Sequence, residues 1–550
     1  MQFKSPYPSI QPPEIDVASL IWGALDKGDE NRVLLVSEDG SEKYSAATLK
    51  EMAFCFGNGL VNKFGFKKGQ VVLLFCTNTI HIIPVILGIL QVGGIVSPVD
   101  PKWSAKLLSH QLKDSAGSII VTQHSLFTVA VSAAQKTGFD LERIIMFPDS
   151  SKPDFMNGET DTYFDLVANS TTEGSKCRID PLIDICFLVY TAGVTGFPKG
   201  VELSHHNIVT NVFMWSAAFP ISPSDVVLAG IYIPNMYFLT VMVLHPLYNL
   251  ARVVVAPCSN PERFQKVIQL HQVSVGYVIA PDVVMLSLPR IPRLGSLSPI
   301  KFIVCSGSPL SGKLTQSFYR YHGIKLLQAY GFAEASPAVS AQSLAQYSVA
   351  NGSVGWLLPN QEGKLLDIVN PNVEITERNQ PGELCIREPN IFKNYHSSPR
   401  EMEASFTNDG FFKTGDVAML DSAGYLRISG RVVQPINFKG LHIAPKELED
   451  VLLKHEGICE VCVVPVYDQS LKTDVPRAQI VLNRGWQPTG QHGLSLEQEA
   501  ALELEQWVEK RVDDHKRLRG GVHIVPKLPK TVSMKLMRGV VKHMSNKSKL

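Results

Sequence analysis

Two hydrophobic rhythms alternate along most of the chain. Short runs rich in Val, Ile and Leu, such as Val71–Phe75, Ile119–Thr122, Val253–Ala256 and Val275–Ile279, each precede a stretch whose apolar residues recur at helical spacing. Those stretches are Ile82–Gln91, Phe127–Lys136 and Pro261–His271, and a further strand follows at Lys301–Cys305. Strand–helix alternation of this kind predicts α/β layers built on largely parallel sheets. No repeat with a period of about 20–50 residues and no heptad run appears, which excludes solenoids and coiled coils. Two longer apolar stretches, Val71–Val99 and Ile231–Pro257, are broken by residues such as Asn78, His81, Pro84, Pro234, Asn235 and Arg252. A membrane span needs about 20 mostly uninterrupted apolar residues, so each reads as a buried strand and a buried helix in succession, and no transmembrane segment is predicted.

The rhythm changes after about residue 350. Gly352, Gly355, Gly363, Gly382, Gly410, Gly415, Gly424 and Gly430 punctuate short alternating strands, the pattern of a β-rich region with tight turns. After Arg431 the chain turns α/β again, with a helix at Lys446–His455, a strand at Ile458–Val466 and a long helix at Leu496–Val512. A domain boundary is placed near Arg431, giving domains 1–430 and 431–550, the smaller of ordinary domain size.

Composition narrows the class without naming it. The 550 residues are 45% hydrophobic and 19% charged, with 52 Lys+Arg against 51 Asp+Glu. This excludes a disordered chain and a global basic field for nucleic acid. Nine cysteines without regular spacing fit a reducing compartment better than a disulfide framework. Cys459 and Cys462 fall on opposite faces of a predicted strand and read as core thiols. The N-terminal stretch has no apolar run, so no signal peptide is expected. Charge is uneven only at the end: from Lys516 onward there are Lys and Arg but no acid, a solvated basic surface or a patch facing an anion. The final tripeptide Ser548-Lys549-Leu550 matches a peroxisomal import address, which an import receptor reads; it is not an anchor.

Candidate chemistry concentrates in Leu188-Val-Tyr-Thr-Ala-Gly-Val-Thr-Gly-Phe-Pro-Lys-Gly-Val-Glu-Leu-Ser-His205. An apolar run meets a loop carrying Gly193, Gly196 and Gly200, with Thr191, Thr195 and Lys199. Glycines let backbone N–H groups turn toward phosphate oxygens, and the lysine adds a mobile positive charge. It is not a Walker A loop, because Pro198 precedes Lys199 and glycine follows it. Three further stretches accompany it: Gln328-Ala-Tyr-Gly-Phe-Ala-Glu334, Thr414-Gly-Asp416 with Gly430-Arg431, and Pro529-Lys-Thr-Val-Ser-Met-Lys535. Taken singly, Tyr330 reads as a core aromatic, Asp416 as a turn residue and Lys535 as a surface lysine.

Together, in order and spacing, the set resembles the adenylate-forming superfamily of acyl-CoA synthetases, luciferases and peptide-synthetase adenylation domains, and within it the 4-coumarate–CoA ligase-like enzymes. Gly352-Ser-Val-Gly355, Gly382-Glu-Leu-Cys-Ile-Arg387 and Ala444-Pro-Lys-Glu-Leu-Glu449 extend the resemblance to most of the chain. It implies a large N-terminal domain of two layered α/β subdomains plus a β-rich subdomain, and a small mobile α+β C-terminal domain. It also implies the reaction: ATP and a carboxylic acid give acyl-AMP and pyrophosphate, then coenzyme A displaces AMP. By resemblance, Thr191, Gly193, Thr195, Gly196 and Lys199 surround the β- and γ-phosphates, Tyr330 stacks on adenine and Glu334 holds Mg²⁺. Asp416 and Arg431 serve the ribose, Lys535 neutralises charge during adenylation, and Lys439 and Gly440 adjoin the pantetheine tunnel. The acyl pocket carries over to Tyr237, Phe238, Leu239, Met242, Gly307, Ala329, Gly331, Pro337 and Ala338. These walls are apolar and lack a cation for a second carboxylate, so an apolar monocarboxylic acid is expected: aryl-alkanoic, cinnamic-type or medium-chain fatty.

The chain departs from the family pattern at Ala192, Val194, Tyr237, Ala333, Val433, Pro435, Asn437 and Met534, several of them losses of a polar contact. Each lost bond to a charged group is worth about 1.5–3 kcal/mol. The charged set Lys199, Glu334, Asp416, Arg431 and Lys535 survives. An active ligase is therefore expected, with two competitors: an adenylate-forming enzyme that uses another acceptor, and a nucleotide-binding relative without turnover. The sequence specifies no oligomeric state.

Overall fold

The computed structural model describes all residues except Met1, 148–161, 174–176, 192–197, 257–259, 289–299, Glu388, 433–435, Gly440, Ala444, 490–493, 531–535 and 548–550. The chain divides into two compact units, the first built from Met1–Thr191 and Pro198–Gly430 and the second from Arg431–Leu550.

Among the described residues the first unit contains three sheets. A seven-stranded sheet runs in the order Asn394–Tyr395, Lys199–Ser204, Ile185–Thr191, Ile95–Pro98, Val71–Phe75, Ile119–Gln123 and Ile144–Phe147. Its last five strands are parallel, and Lys199–Ser204 is antiparallel to both of its neighbours. A nine-stranded sheet runs from Trp356–Leu357 through Ala338–Ala341, Lys325–Gly331, Phe302–Ser306 and Val275–Ile279 to Val226–Ala229, Arg252–Val255, Val33–Ser37 and Lys43–Ser45. It too is parallel in the middle and antiparallel at both ends. The third sheet is five-stranded and holds the glycine-punctuated segments Glu362–Leu366, Gly382–Arg387, Phe412–Leu420 and Leu426–Arg431. Its outer strand is Gln2–Lys4, which pairs antiparallel with Glu362–Leu366, a partner the sequence pattern does not reveal.

Helices pack over the parallel strands around one large core, with separate clusters around Phe264 and Phe318 and around Leu108 and Ala133. The helices Ala46–Phe64 and Ile82–Gln91 meet through glycine, and a Cβ on Gly88 would lie 2.4 Å from the carbonyl oxygen of Ala53. Caps fix where helices begin. Ser204 ends the strand Lys199–Ser204 and accepts from the amide of Asn207, whose side chain accepts from the Ser204 amide in return. Strand therefore passes into the helix His205–Ala218 without a loop.

The second unit has a three-stranded sheet of Ile458–Asp468, Thr473–Leu482 and Val522–Ile524, a hairpin of Ile436–Phe438 and Leu441–Ile443, and the helices Pro445–Leu452, Leu496–Glu509 and Arg538–Lys547. Leu448, Leu452, Val463, Ala478, Ile480, Leu504 and Val508 form its own core. Glu449, from the Ala444–Glu449 motif, is buried and pairs with Arg538 through two bonds of 2.5 and 2.7 Å while accepting from the Val463 amide.

Ile231–Pro257 holds a helix and a strand, Tyr237–Leu244 and Arg252–Val255. Every residue of Tyr237–Leu244 is buried, which suits a helix enclosed on all sides. One expectation is corrected: Cys459 is exposed, whereas Cys462 is buried as expected. Strand pairing shifts register between Ile458 and Glu460, and this places Cys459 outside the core. No helix among the described residues is long and apolar enough to cross a membrane.

Candidate active site

Lys199 opens its strand directly opposite Thr191, the last residue of Ile185–Thr191. The two residues close the base of the glycine-rich loop as a cross-strand pair. Ala192, Gly193, Val194, Thr195 and Gly196 lie outside the described residues. The Lys199 ammonium lies 5.9 Å from the centre of the Tyr395 ring and forms an ion pair with Glu401.

Tyr395 leads to the next candidate. Its hydroxyl donates to Oε1 of Glu334 at 2.9 Å. Burial, and then the Glu334 charge, push the phenol far up, so Tyr395 remains a donor at any working pH. Glu334 stands in a single turn, Ala333–Ala335, anchored from behind by two buried amides. Asn211 donates to the carbonyls of Ala335 and Ala338 at 3.2 and 2.9 Å, and Asn390 to the same pair at 2.6 and 3.1 Å. Gln361 in turn donates to Asn390 at 2.8 Å.

Tyr330 and Asp416 come together from different sheets. The tyrosine hydroxyl donates to Oδ2 of Asp416 at 2.7 Å. Asp416 lies within the strand Phe412–Leu420 and is buried, so it is not the turn residue its neighbours suggested. Glu383 adjoins it, its carboxyl pushed up by burial although the Gly415 amide donates to it at 3.2 Å. Gly331 follows Tyr330 because nothing larger fits: a Cβ there would lie 2.0 Å from the Pro337 carbonyl oxygen. Thus all three sheets of the first unit supply a member of the set.

The residues expected to wall an acyl pocket behave less uniformly. Tyr237, Phe238, Leu239 and Met242 lie on a π-helix, Tyr237–Leu244, that is buried throughout. The Tyr237 ring meets Trp215 and Tyr277 edge to face at 5.5 and 6.1 Å. Ala329, Pro337 and Ala338 are buried, Gly331 is half-buried, and Gly307 is exposed at φ +90°. No charged side chain stands among these residues. A cavity of about 60 Å³ lined by Ile231, Phe264, Tyr277, Asp282, Met285 and Leu286 adjoins this wall through Tyr277, the ring that packs on Tyr237. A larger surface cleft of about 540 Å³, around Leu25, Lys50 and Phe54, contains none of the candidate residues.

In the second unit, Arg431 ends the strand Leu426–Arg431 and is exposed. Lys439 is exposed at φ +50°, with its amide donating to Thr473 Oγ1 at 2.8 Å. Gly440, Val433, Pro435, Met534, Lys535 and Ser548-Lys549-Leu550 lie outside the described residues. The basic tail is largely balanced within its own unit: Lys516 pairs with Glu447 at 2.7 Å, Arg519 with Asp514 at 2.6 Å and Lys530 with Glu460 at 2.6 Å.

The profile of the AMP-binding enzyme family matches residues 24–396, and that of the AMP-binding enzyme C-terminal domain matches residues 447–535. The chain belongs to the AMP-binding enzyme family. Probable 4-coumarate–CoA ligase 1 of Dictyostelium discoideum is 29% identical over 98% of this chain and 96% of that protein. Peroxisomal OPC-8:0-CoA ligase 1 of Arabidopsis thaliana is 26% identical over the whole of this chain and 96% of that protein. In fold, the chain is similar to the crystal structure of ATP-bound MatB from Rhodopseudomonas palustris, with a TM-score of 0.79 at 21% identity, covering 96% of this chain and 99% of that one. The chain thus stands with the acyl-CoA ligases of the family, and use of ATP and coenzyme A follows from that membership.

The motifs mark the candidate residues but miss those that hold them. Asn211, Asn390, Gln361, Tyr395 and Glu401 escape sequence reasoning. Asn211 lies inside a helix whose other positions are mostly apolar, and Asn390 and Tyr395 fall in a segment without periodicity. A mid-helix asparagine on a buried face was the one available signal, since an amide there needs partners.

Proposed function

We propose that the protein is an ATP-dependent acyl-CoA ligase acting on an apolar monocarboxylic acid. The observation that carries this reading is the convergence of Lys199, the Tyr395–Glu334 pair and the Tyr330–Asp416 pair from three sheets. Lys199 and the loop above Thr191 would take the β- and γ-phosphates; a flexible ammonium is a phosphate partner of the point-charge kind. Tyr330 would lie against adenine, with Asp416 accepting from the ribose hydroxyls beside Arg431. Tyr330 also orients that carboxylate through its 2.7 Å bond.

A single hard carboxylate oxygen beside phosphate suits Mg²⁺, and Glu334 is the residue that would hold it, oriented by Tyr395. The ion would supply charge neutralisation at the phosphate oxygens. With the triphosphate aligned, the acid's carboxylate oxygen attacks the α-phosphorus and pyrophosphate leaves, giving acyl-AMP. Lys535 would neutralise charge at that step. The coenzyme A thiol sulfur then attacks the acyl carbon, and the C–O bond to AMP breaks with loss of the thiol proton. Lys439 and Gly440 would adjoin the pantetheine arm. Alignment and electrostatics carry both halves, in keeping with the absence of any nucleophile from the set.

The substrate class follows from the acyl wall. Aromatic and aliphatic side chains fill it, and none of the expected wall residues is a cation that could meet a second carboxylate. Leu239 and Met242 offer no hydrogen bond to a ring hydroxyl, so the site would not demand one. The reading extends to location: we propose import into the peroxisome through Ser548-Lys549-Leu550, supported by the tripeptide and by one relative whose name carries that compartment.

The test is pyrophosphate release from Mg-ATP across a panel of aryl-alkanoic, cinnamic, medium-chain and dicarboxylic acids, with and without coenzyme A, with product masses recorded. Turnover that depends on coenzyme A and yields an acyl-CoA mass from apolar monoacids is the expected result. Preference for a dicarboxylic acid would overturn the substrate class. Acyl-AMP without thioester would assign another acceptor, and ATP binding without pyrophosphate release on any acid would overturn catalysis.

A further inference from the structure

Glu401 has no part in the scheme above, yet it holds the lysine at its centre. It lies in Pro399–Ala404, the short helix that follows the Asn394–Tyr395 strand. That strand pairs with the one Lys199 begins, Tyr395 lying opposite Val201. The geometry therefore places a carboxylate beside the ammonium as well as the Tyr395 ring below it. The two paired side chains are 21% and 34% exposed, so water screens the pair only in part. Glu334, linked to the same ring through the Tyr395 hydroxyl, adds a second carboxylate to the neighbourhood.

This is an adverse arrangement for a polyphosphate. A fixed carboxylate repels β- and γ-phosphates and occupies the cation they need. We propose that Glu401 is a displaceable counter-ion for Lys199: it holds the ammonium while the site is empty, and the terminal phosphates of the nucleotide take its place. The proposal rests on reading Lys199 as the phosphate-binding lysine. A lysine suits such an exchange, since its charge is compact and its four-carbon stem rotates freely between two anions, whereas a bidentate arginine would be locked to one.

The exchange makes affinity depend on which phosphates a ligand carries. ATP and pyrophosphate reach Lys199 and must displace Glu401. AMP, which ends at the α-phosphate, leaves the ion pair in place. Removing the charge at position 401 should therefore help the first two ligands and not the third. A partly exposed ion pair and the added repulsion together correspond to about three- to tenfold in affinity.

The experiment measures dissociation constants of ATP, pyrophosphate and AMP by titration calorimetry on the full chain, comparing wild type with Glu401→Gln. ATP and pyrophosphate should tighten by about three- to tenfold, and AMP should stay within about twofold. In a Lys199→Gln background the same change at position 401 should distinguish ATP from AMP by less than in the wild-type background, because only the repulsion remains; an undiminished difference overturns the proposal. Unchanged or weaker ATP binding overturns the proposal. So does an equal gain for AMP, which would mean a general loosening of the site, and so does a loss seen only with Mg²⁺, which would make Glu401 a metal ligand. Glu401→Ala, with thermal unfolding measured alongside, decides the matter if Glu401→Gln folds poorly. A wild-type chain that binds no ATP would overturn the phosphate-site reading itself, a result distinct from a failure at Glu401.

Discussion

The carboxylate of Glu334 stands where two buried amides hold its turn, and both amides donate to the same two carbonyls. Such sharing leaves little freedom to the backbone from Ala335 to Ala338, which carries Pro337 and Ala338 of the proposed acyl wall as well. Removing one amide strands buried acceptors, and a stranded polar group costs about 1–3 kcal/mol. Asn390→Ala should therefore destabilise the protein by about 2 kcal/mol in urea unfolding and lower kcat/KM for ATP and acid together, because it disturbs both sides of one turn. A loss below about 0.5 kcal/mol would mean that Asn211 alone suffices. At this scale the sequence exposes chemistry better than support. Lys199, Tyr330, Glu334 and Asp416 were legible because glycine and charge occur there in a fixed order. Asn390 and Tyr395 were not, because nothing in a single chain tells which loop amide ends up 0% exposed.

Among the elements, strand–helix alternation translated directly into sheet layers, since a parallel strand buried on both faces has little choice but an unbroken apolar run. The stretch from Ile231 to Pro257 follows the same logic, with a helix, Tyr237–Leu244, buried throughout and a strand, Arg252–Val255, in the nine-stranded sheet. The first helix, Val17–Leu25, depends on a distant element in a way that carries a pH dependence. Its leading amide, on Val17, donates to Nδ1 of His205 at 3.1 Å, at the start of the helix His205–Ala218. Burial pushes the His205 imidazole down from 6.5 to about 4, against the opposing pull of Asp16 and Asp184. The folded chain therefore keeps this ring neutral in the window where the unfolded chain takes up a proton. The stability it contributes is full above about pH 6.5 and is lost as pH falls toward 4, at about 1.4 kcal/mol per pH unit. Burial lowers His81 and His245 as well, so urea unfolding between pH 7.5 and 4.5 should be steeper than this one-proton slope, and His205→Asn should reduce it by about one proton's worth. An unchanged slope would mean that the ring is already charged in the fold.

The whole molecule is two units with separate cores, and the sequence signal after Arg431 is a change of texture. Its basic tail was ambiguous in sequence, where charge is counted along the chain. In space the acids Glu447, Asp514 and Glu460 stand against it. Location is a property of the whole chain too. A fluorescent reporter joined ahead of the N-terminus should gather in peroxisomes, and deletion of residues 548–550 should release it to the cytosol; a reporter that stays diffuse with the tripeptide intact would contradict the address. The place of that reporter matters, because Gln2–Lys4 is a strand of the five-stranded sheet and the following residues are tied down as well, Ser5 to the Leu357 carbonyl and Ile10 to Asn360. These few residues cover the open hydrogen-bonding edge of Glu362–Leu366. A fusion without a spacer that displaces Gln2–Lys4, or proteolysis that removes them, would uncover that edge and invite a foreign strand to pair with it, so self-association is the hazard of losing this strand.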